Sequence, residues 1–271
     1  MIRINKNDVC VNKFPDGTLL LKEAIPEDCA DKEQIKKATL TWLFEKNEEL
    51  VTLIYLAGHL RSHGIMDLAL EMPYTPNARQ DRVKTEEDVF TLKYFAQVIN
   101  WLQFTSVTVL DPHSSVSEAL FDRIRVKTPE AFVRKVIDRI GGMENLTMFY
   151  PDEGACKRYA GMFPLPYAFG IKNRDWETGE IRGLDVSGMK DCIQDRKVLI
   201  MDDISSRGGT FYFSAKKLKE LGAKEIYLYV SHCENTILEG DVLTSGLIEK
   251  VFTTNSIFTK KHERIEVFDY V

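Results

Sequence analysis

The sequence predicts an α/β fold made of two open-sheet domains. Five apolar runs have the length of strands and lack polar–apolar alternation, which is typical of parallel strands buried on both faces. Segments with helical spacing lie between these runs, and this alternation of strands and helices indicates parallel sheets. Pro129 can open a helix directly after Thr128. We therefore place one domain at residues 1–128 and a second at 129–258, followed by a tail at 259–271.

The individual elements follow from these patterns. The strands are predicted at residues 50–56, 107–110, 146–150, 198–201 and 226–230. The helices are predicted at residues 31–46, 86–102, 129–140 and 211–221, and Gly222 is the expected C-terminal cap of the last helix. Residues 263–271 are predicted to form a final strand.

Composition and charge exclude several classes of protein. The chain has 271 residues, 44% of them hydrophobic, which is enough to build one large or two modest cores. Its net charge of -5 argues against broad nucleic-acid binding, and no apolar stretch has the length of a bilayer span. The five cysteines are widely spread, which predicts free thiols. We therefore expect a soluble cytoplasmic protein that binds neither nucleic acid nor membrane.

The clearest local signal is the segment VLIMDDISSRGGTFYFSAKKLKELG. A buried strand leads to two acids, a short loop of serines and glycines, and then a helix. Backbone amides and the following helix N-terminus can bind a phosphate, and the two acids can accept from sugar hydroxyls. The candidate residues are Asp202, Asp203, Ser205, Ser206, Arg207, Gly208, Gly209 and Thr210. The alternative is structural: Asp203 or Ser205 caps the helix and the glycines make a tight turn.

This segment resembles the ribose-phosphate loop that type I phosphoribosyltransferases share with the ribose-phosphate pyrophosphokinases. Other motifs favour the second family. The segment ARQDR is similar to its ATP-binding motif, with Arg79 and Gln80 as the matching residues. The segments LDPHSS and FYPDEGA resemble its Mg²⁺-binding motifs, through His113 and Asp152. Taken without this resemblance, ARQDR is a solvated charge run and His113 a structural histidine.

Two further segments extend the resemblance over residues 14–257. The segment FGIKNRDWETGEIRG stands in the place of the family's catalytic flexible loop, which implies catalytic roles for Lys172 and Arg174. The alternative there is an ordinary polar hairpin. The segment NKFPDG resembles one that reaches into the adenine pocket of a neighbouring subunit, with Phe14 and Asp16 as the matching residues. The resemblance therefore implies a homo-oligomer, at least a dimer.

The resemblance implies two phosphoribosyltransferase-like domains packed side by side and a definite reaction. The anomeric hydroxyl of ribose 5-phosphate would attack the β-phosphorus of ATP, with Mg²⁺ as cofactor, giving phosphoribosyl pyrophosphate and AMP. Alignment of the reactants and cations placed near developing charge would supply the catalysis. Residues 172–182 are expected to form a lid that excludes water.

The chain departs from the family pattern in two places. Ser206 and Arg207 replace the usual acid and threonine, which adds about two positive charges and suits a diphosphate clamp. A larger acceptor such as ADP-ribose, in NAD metabolism, is therefore the alternative substrate. No helix is predicted after the final strand, which puts family-type assembly and allosteric control in doubt. A catalytically silent regulatory relative is a third possibility, although the retained catalytic-type residues argue against it.

Overall fold

The chain folds into two compact units, Met1–Thr128 and Pro129–Val271. The structure, a computed structural model, describes residues 1–26, 29, 36–174 and 181–270, and for residues 172–174 and 181–184 it describes the backbone alone. No helix in the described ranges is both long and apolar enough to span a bilayer.

The first unit contains a six-stranded mixed sheet. Its strands are β1 (Ile2–Ile4), β2 (Asn7–Asp8), β5 (Lys37–Trp42), β6 (Asp67–Glu71), β7 (Ser106–Leu110) and β8 (Ile124–Lys127), and a separate ribbon pairs β3 (Val11–Lys13) with β4 (Leu19–Leu21). The order in the sheet is β2-β1-β5-β6-β7-β8, and β5 to β8 run parallel. The helices are α1 (Glu49–Ser62), α2 (Thr91–Trp101) and α3 (Val116–Leu120).

The second unit contains a seven-stranded mixed sheet. Its strands are β9 (Leu146–Tyr150), β10 (Tyr167–Arg174), β11 (Ile181–Gly188), β12 (Lys197–Ser205), β13 (Glu225–Cys233), β14 (Lys250–Thr254) and β15 (Ile265–Phe268). The helices are α4 (Glu130–Arg139), α5 (Glu153–Tyr159) and α6 (Gly209–Glu220), and short 3-10 turns cover Lys190–Cys192 and Asn235–Glu239. The order is β11-β10-β9-β12-β13-β14-β15, and every neighbouring pair is parallel except β10 with β11.

Both faces of the second sheet are covered, as expected for buried parallel strands. Side chains alternate along β12: Val198 and Ile200 join the core that contains α6, while Leu199 and Met201 join the core that contains α4 and α5. The chain leaves β9 through α5 toward β10 on one side, and leaves β12 through α6 toward β13 on the other. The carboxyl ends of β9 and β12 are therefore the switch point where open α/β sheets bind ligands.

The prediction of an α/β fold with two open sheets is confirmed, but two predicted elements are wrong. Residues 50–56 belong to α1, where Leu53, Leu56 and Leu60 are buried at helical spacing while Tyr55 is exposed. A short apolar run cannot by itself distinguish a buried strand from a helix. Within the helix predicted at 31–46, residues 37–42 form β5, and residues 31–35 lie outside the described residues. Tertiary burial of alternate residues overrides helical propensity there.

The remaining differences concern boundaries. The helix predicted at 86–102 begins only at Thr91, after a turn in which the Asp88 carboxylate accepts from the amides of Lys84 and Thr85. The final strand covers Ile265–Phe268 and pairs with β14, so it belongs to the second sheet.

Candidate functional site

Three carboxylates lie at the switch point of the second sheet. Asp152 follows β9 in an extended conformation and caps α5, with its Oδ1 accepting from the Ala155 amide at 3.0 Å. Asp202 and Asp203 lie near the end of β12, which pairs with β9 in parallel. Since parallel neighbours end at the same edge of a sheet, the fold brings together acids that are 50 residues apart in sequence.

The Asp202 carboxyl carries the strongest electrostatic perturbation in this group. Withdrawal from water raises its pKa well above the ordinary range, and the negative charges of Asp203 and Asp152 add to that effect. The backbone amide of Asp203 donates to Asp202 Oδ1 at 2.9 Å and opposes the shift without cancelling it. The surroundings of Asp202 therefore favour the protonated form of its carboxyl over the ionised form.

Arg158 on α5 is a site residue that the sequence analysis missed. Its Nη1 lies 3.5 Å from Asp203 Oδ1 and 3.1 Å from the hydroxyl oxygen of Tyr159, to which it donates. The neighbouring Lys157 instead pairs with Glu153, four residues earlier, on the exposed face of the helix. The spacing of Glu153 and Lys157 could have identified Arg158 from the sequence. An ion pair between residues four apart places Lys157 on the exposed face of the helix, so that Arg158 is the basic residue available to the site.

The predicted phosphate loop connects β12 to α6. Gly208 is the N-cap of α6, with a left-handed φ of +80°, and the Ser205 hydroxyl donates to the Ser206 carbonyl oxygen at 3.2 Å. The structural alternative, in which Asp203 or Ser205 caps this helix, is therefore wrong. The first amides of a helix have no acceptor within it, so residues 209 and 210 present donors where a phosphate would bind.

A second segment, residues 239–242, packs against this loop. A Cβ at Gly240 would overlap the Arg207 carbonyl oxygen, and one at Gly208 would overlap Val242 Cγ2. Arg207 Nη2 also lies 3.0 Å from Glu239 Oε2, with both side chains more than half exposed. Arg207 thus forms an exposed ion pair with Glu239, a residue that the loop motif itself does not contain.

Lys172 and Arg174 lie at the end of β10. The backbone of β10 pairs antiparallel with β11, with Lys172 opposite Leu184 and Arg174 opposite Ile181. The two strands flank residues 175–180, so most of the predicted lid lies outside the described residues. The antiparallel pairing fits the polar-hairpin interpretation and is compatible with a lid.

In the first unit, the predicted ATP-binding residues Arg79 and Gln80 and the predicted metal ligand His113 follow two neighbouring parallel strands. The pairing of β6 with β7 continues past the end of β6, since the Met72 amide donates to the Thr108 carbonyl oxygen at 2.8 Å. Arg79 and Gln80 are exposed in the loop after β6, and His113 is half-buried in the loop after β7. The Gln80 side-chain oxygen accepts from the Thr91 hydroxyl at 2.8 Å, which ties this loop to the start of α2.

Phe14 and Asp16 lie in the turn of the β3–β4 ribbon. Asp16 Oδ1 accepts from the amide of Thr18 at 3.0 Å and from its hydroxyl at 2.7 Å, while Gly17 adopts a φ of +85°. Phe14 is 48% exposed. Asp16 therefore stabilises the turn, and Phe14 is the group that the turn presents to the surroundings.

The two metal ligands predicted from the sequence, His113 and Asp152, belong to different units. Among the described residues, no group of three or more His, Cys, Asp or Glu side chains has an arrangement that could hold a metal ion. His113 and Asp152 follow strands of different sheets, in different units.

Comparisons with known proteins identify the family. No protein-family model matches the chain. The chain is 30% identical over 279 residues to the ribose-phosphate pyrophosphokinase of Pyrococcus abyssi, covering 98% of this chain and 90% of that relative. It is 28% identical over 257 residues to the enzyme of the same name from Thermococcus kodakarensis, covering 93% and 86%.

A solved structure supports the fold. The crystal structure of phosphoribosylpyrophosphate synthetase from Mycobacterium smegmatis matches with a TM-score of 0.75 and 17% identity, covering 97% of this chain and 86% of that one. The phosphoribosyltransferase-like fold expected from the sequence is thereby confirmed. With an archaeal relative at 30% identity over nearly its whole length, the chain belongs to the ribose-phosphate pyrophosphokinase family.

Proposed function

We propose that this protein makes phosphoribosyl pyrophosphate and AMP from ribose 5-phosphate and ATP. The anomeric oxygen of the sugar bonds to the β-phosphorus, the bond from that phosphorus to the α–β bridging oxygen breaks, and AMP leaves. The observation that carries the proposal is the acid pair of β12 followed by a glycine loop and the N-terminus of a 12-residue helix, all at a switch point. Family membership supports the same reaction.

The second unit is proposed to bind the sugar phosphate. The amides of the loop from Ser206 to Thr210 face the 5-phosphate, since a helix N-terminus favours an anion. Asp202 and Asp203 accept hydrogen bonds from the ribose hydroxyls. Arg158 holds Asp203 in place for that contact.

The first unit is proposed to bind ATP. The Arg79 guanidinium suits a polyphosphate, and the Gln80 amide suits a base edge or ribose.

Lys172 and Arg174 are proposed to stabilise the charge that develops on the transferring oxygens. Replacing Lys172 by Ala should abolish turnover and leave ATP affinity, measured by calorimetry, within about twofold, because the lysine acts on the transition state.

Mg²⁺ fits the chemistry of the acids in the second unit. Asp152 offers carboxylate oxygens, which are the hard ligands that Mg²⁺ prefers, and the carboxylates of Asp202 and Asp203 lie near the end of the neighbouring strand. Asp152 is the proposed ligand in the second unit, and His113 is the proposed ligand in the first unit. When bound, Mg²⁺ would offset the negative charge of the polyphosphate. Asp152 also caps α5, so its carboxylate is already oriented by the fold.

Ribose 5-phosphate is the proposed acceptor in preference to ADP-ribose. The case for the larger acceptor rested on the two positive charges added at Ser206 and Arg207, and the ion pair between Arg207 and Glu239 offsets part of that charge. We also propose a homo-oligomer of at least two copies, in which the exposed Phe14 contacts the adenine site of a neighbour. Light scattering of the protein and of Phe14→Ala, together with their KM values for ATP, tests the second proposal.

The decisive experiment incubates the protein with ATP and Mg²⁺, separately with ribose 5-phosphate and with ADP-ribose. Phosphorus NMR follows AMP and the new 1-diphosphate. Product from ribose 5-phosphate alone supports the proposal, whereas product from ADP-ribose alone reassigns the acceptor. The absence of AMP in both reactions would make the protein a silent relative.

A further inference from the structure

One buried carboxylate connects the two loops that carry the proposed ATP-binding residues. Asp81 is only 5% exposed, although it lies between the exposed residues Gln80 and Arg82. Its Oδ2 accepts from the Ser114 hydroxyl at 2.7 Å, across 33 residues of sequence. Asp81 belongs to the loop after β6 and Ser114 to the loop after β7, directly after His113. The bond therefore joins the Arg79–Gln80 loop to the His113 loop.

The same carboxylate is held from the other side by Arg82. The guanidinium donates twice, from Nε to Oδ1 at 2.7 Å and from Nη2 to Oδ2 at 3.2 Å. The pKa of Asp81 lies below its ordinary value, first because of these hydrogen bonds from Arg82. The hydrogen bond from Ser114 and the charges of Arg82 and His113 lower it further. Asp81 is therefore an ionised group, and a buried carboxylate of this kind is retained only when it is paired.

These contacts have a mechanical consequence for the loops. Neither loop contains regular secondary structure between its strand and the next helix. The position of each loop therefore depends on side-chain hydrogen bonds of this kind. The Gln80 side chain is tied to Thr91, and that bond fixes the loop relative to α2 but not relative to β7. The bond from Ser114 to Asp81 joins the loop that contains Arg79 to the loop that contains His113.

We propose that Asp81 is a positioning residue that fixes the Arg79–Gln80 loop against the His113 loop, so that both meet a single ATP molecule. The inference rests on the proposed function only in taking ATP as the ligand of these loops. Asp81 itself does not touch the substrate. It acts through the geometry of its neighbours, so its loss should affect ATP and not the sugar phosphate, which is bound by the other unit.

The chain offers a matched control at Asp88. This aspartate belongs to the same connection between β6 and α2, but its carboxylate accepts only local bonds, from the amides of Lys84 and Thr85 at 2.8 Å each. Asp88→Asn removes a charge from the same segment without touching the tie between the loops. It is therefore expected to change the KM for ATP by less than about twofold.

The test compares Asp81→Asn, Ser114→Ala and the double variant. Asp81→Asn preserves the shape of the side chain, but a neutral amide cannot replace the carboxylate in both the hydrogen bond from Ser114 and the ion pair with Arg82. We therefore expect kcat/KM for ATP to fall about tenfold or more. Ser114→Ala should cause a smaller loss in the same direction. Because both changes remove the same hydrogen bond, the double variant should lose little more kcat/KM for ATP than Asp81→Asn alone. The KM for ribose 5-phosphate should stay within about twofold throughout.

Three results would overturn the inference. The first is the same kinetics with ATP in Asp81→Asn and Asp88→Asn, and the second is an equal rise of the KM for ATP and the KM for ribose 5-phosphate. The third is a loss of kcat/KM for ATP in the double variant that equals the sum of the losses in the single variants. ATP affinity measured by calorimetry on the same variants separates this test from the proposed reaction. If the wild-type protein binds ATP but makes no 1-diphosphate, the proposed reaction fails, and the affinities still decide the role of Asp81. A wild-type protein that does not bind ATP would refute both. Circular dichroism melting checks that each variant is folded.

Discussion

The packing of Gly240 against the phosphate loop leads to the sharpest prediction. Gly240 follows the 3-10 turn Asn235–Glu239, 30 residues after Thr210 and outside every recognised motif. A Cβ built there would overlap the Arg207 carbonyl oxygen and lie 2.8 Å from the Arg207 carbonyl carbon. Gly240→Ala should therefore displace the loop and impair binding of the sugar phosphate.

The size of the effect follows from the overlap. Carbon atoms in contact prefer about 3.5–4.0 Å, so the loop or residue 240 must move by about 1 Å. Overpacking of this kind costs about 1–3 kcal/mol of stability. A misplacement of about 1 Å in a positioning group can cost about 100-fold in rate. We expect kcat/KM for ribose 5-phosphate to fall between about tenfold and 100-fold, with the KM for ATP nearly unchanged.

Steady-state kinetics with each substrate and thermal unfolding test this expectation. Gly161→Ala is the control in the same unit, because a Cβ at Gly161 meets nothing within 4 Å. A Gly240→Ala protein with wild-type kcat/KM for ribose 5-phosphate would refute the reasoning, since it would show either that the loop does not bind the sugar or that the contact is absent. Equal losses for both substrates would point to global destabilisation instead.

Three further predictions follow from individual residues. Arg158→Ala should raise the KM for ribose 5-phosphate about tenfold with little change for ATP, and Arg158→Lys should recover part of the loss, as steady-state kinetics would show. Asp202→Asn should abolish turnover yet raise the unfolding midpoint at pH 7 without Mg²⁺. Because the pKa of Asp202 is raised in the folded state, its ionisation destabilises the fold at neutral pH and has no effect below about pH 4, so no gain is expected there. Gly58→Ala in α1 should stabilise the protein by about 0.5–1 kcal/mol in thermal or urea unfolding, since the added methyl meets nothing within 4 Å.

The parts of the fold that sequence analysis predicted correctly are those determined by local pattern. The strand at 198–201, the acid pair and the helix after Gly208 are encoded within 25 residues, so neighbouring residues suffice to identify them. Residues 50–56 and 37–42 were misassigned because their structure depends on burial against distant elements. A short apolar run is compatible both with a helix buried on one face and with a strand buried on both faces. The exposure of Val51 and Tyr55, four residues apart, separates the two cases.

The candidate site shows the same division. The acid pair and the glycines were recognisable, but the contacts that hold them come from elsewhere in the chain. Gly240 and Glu239 support Arg207 from beyond β13, and Ser114 reaches Asp81 from the next loop. Such contacts depend on strand order, which a single sequence does not specify. Arg158 is the exception, since a helical-spacing argument on its own segment would have found it.

The two units stabilise their ligand loops by different means, and the chemistry of each ligand explains the difference. A phosphate loop presents backbone amides, and a carboxylate that accepted from those amides would occupy the donors that the phosphate needs. The second unit therefore supports its loop through backbone packing at Gly208 and Gly240, which leaves the amides available. The loop proposed to bind ATP instead offers arginine side chains, so the buried carboxylate of Asp81 can fix that loop without occupying backbone donors. A carboxylate can thus position a loop that binds an anion through its side chains, but it is unsuited to a loop that binds an anion through its backbone amides.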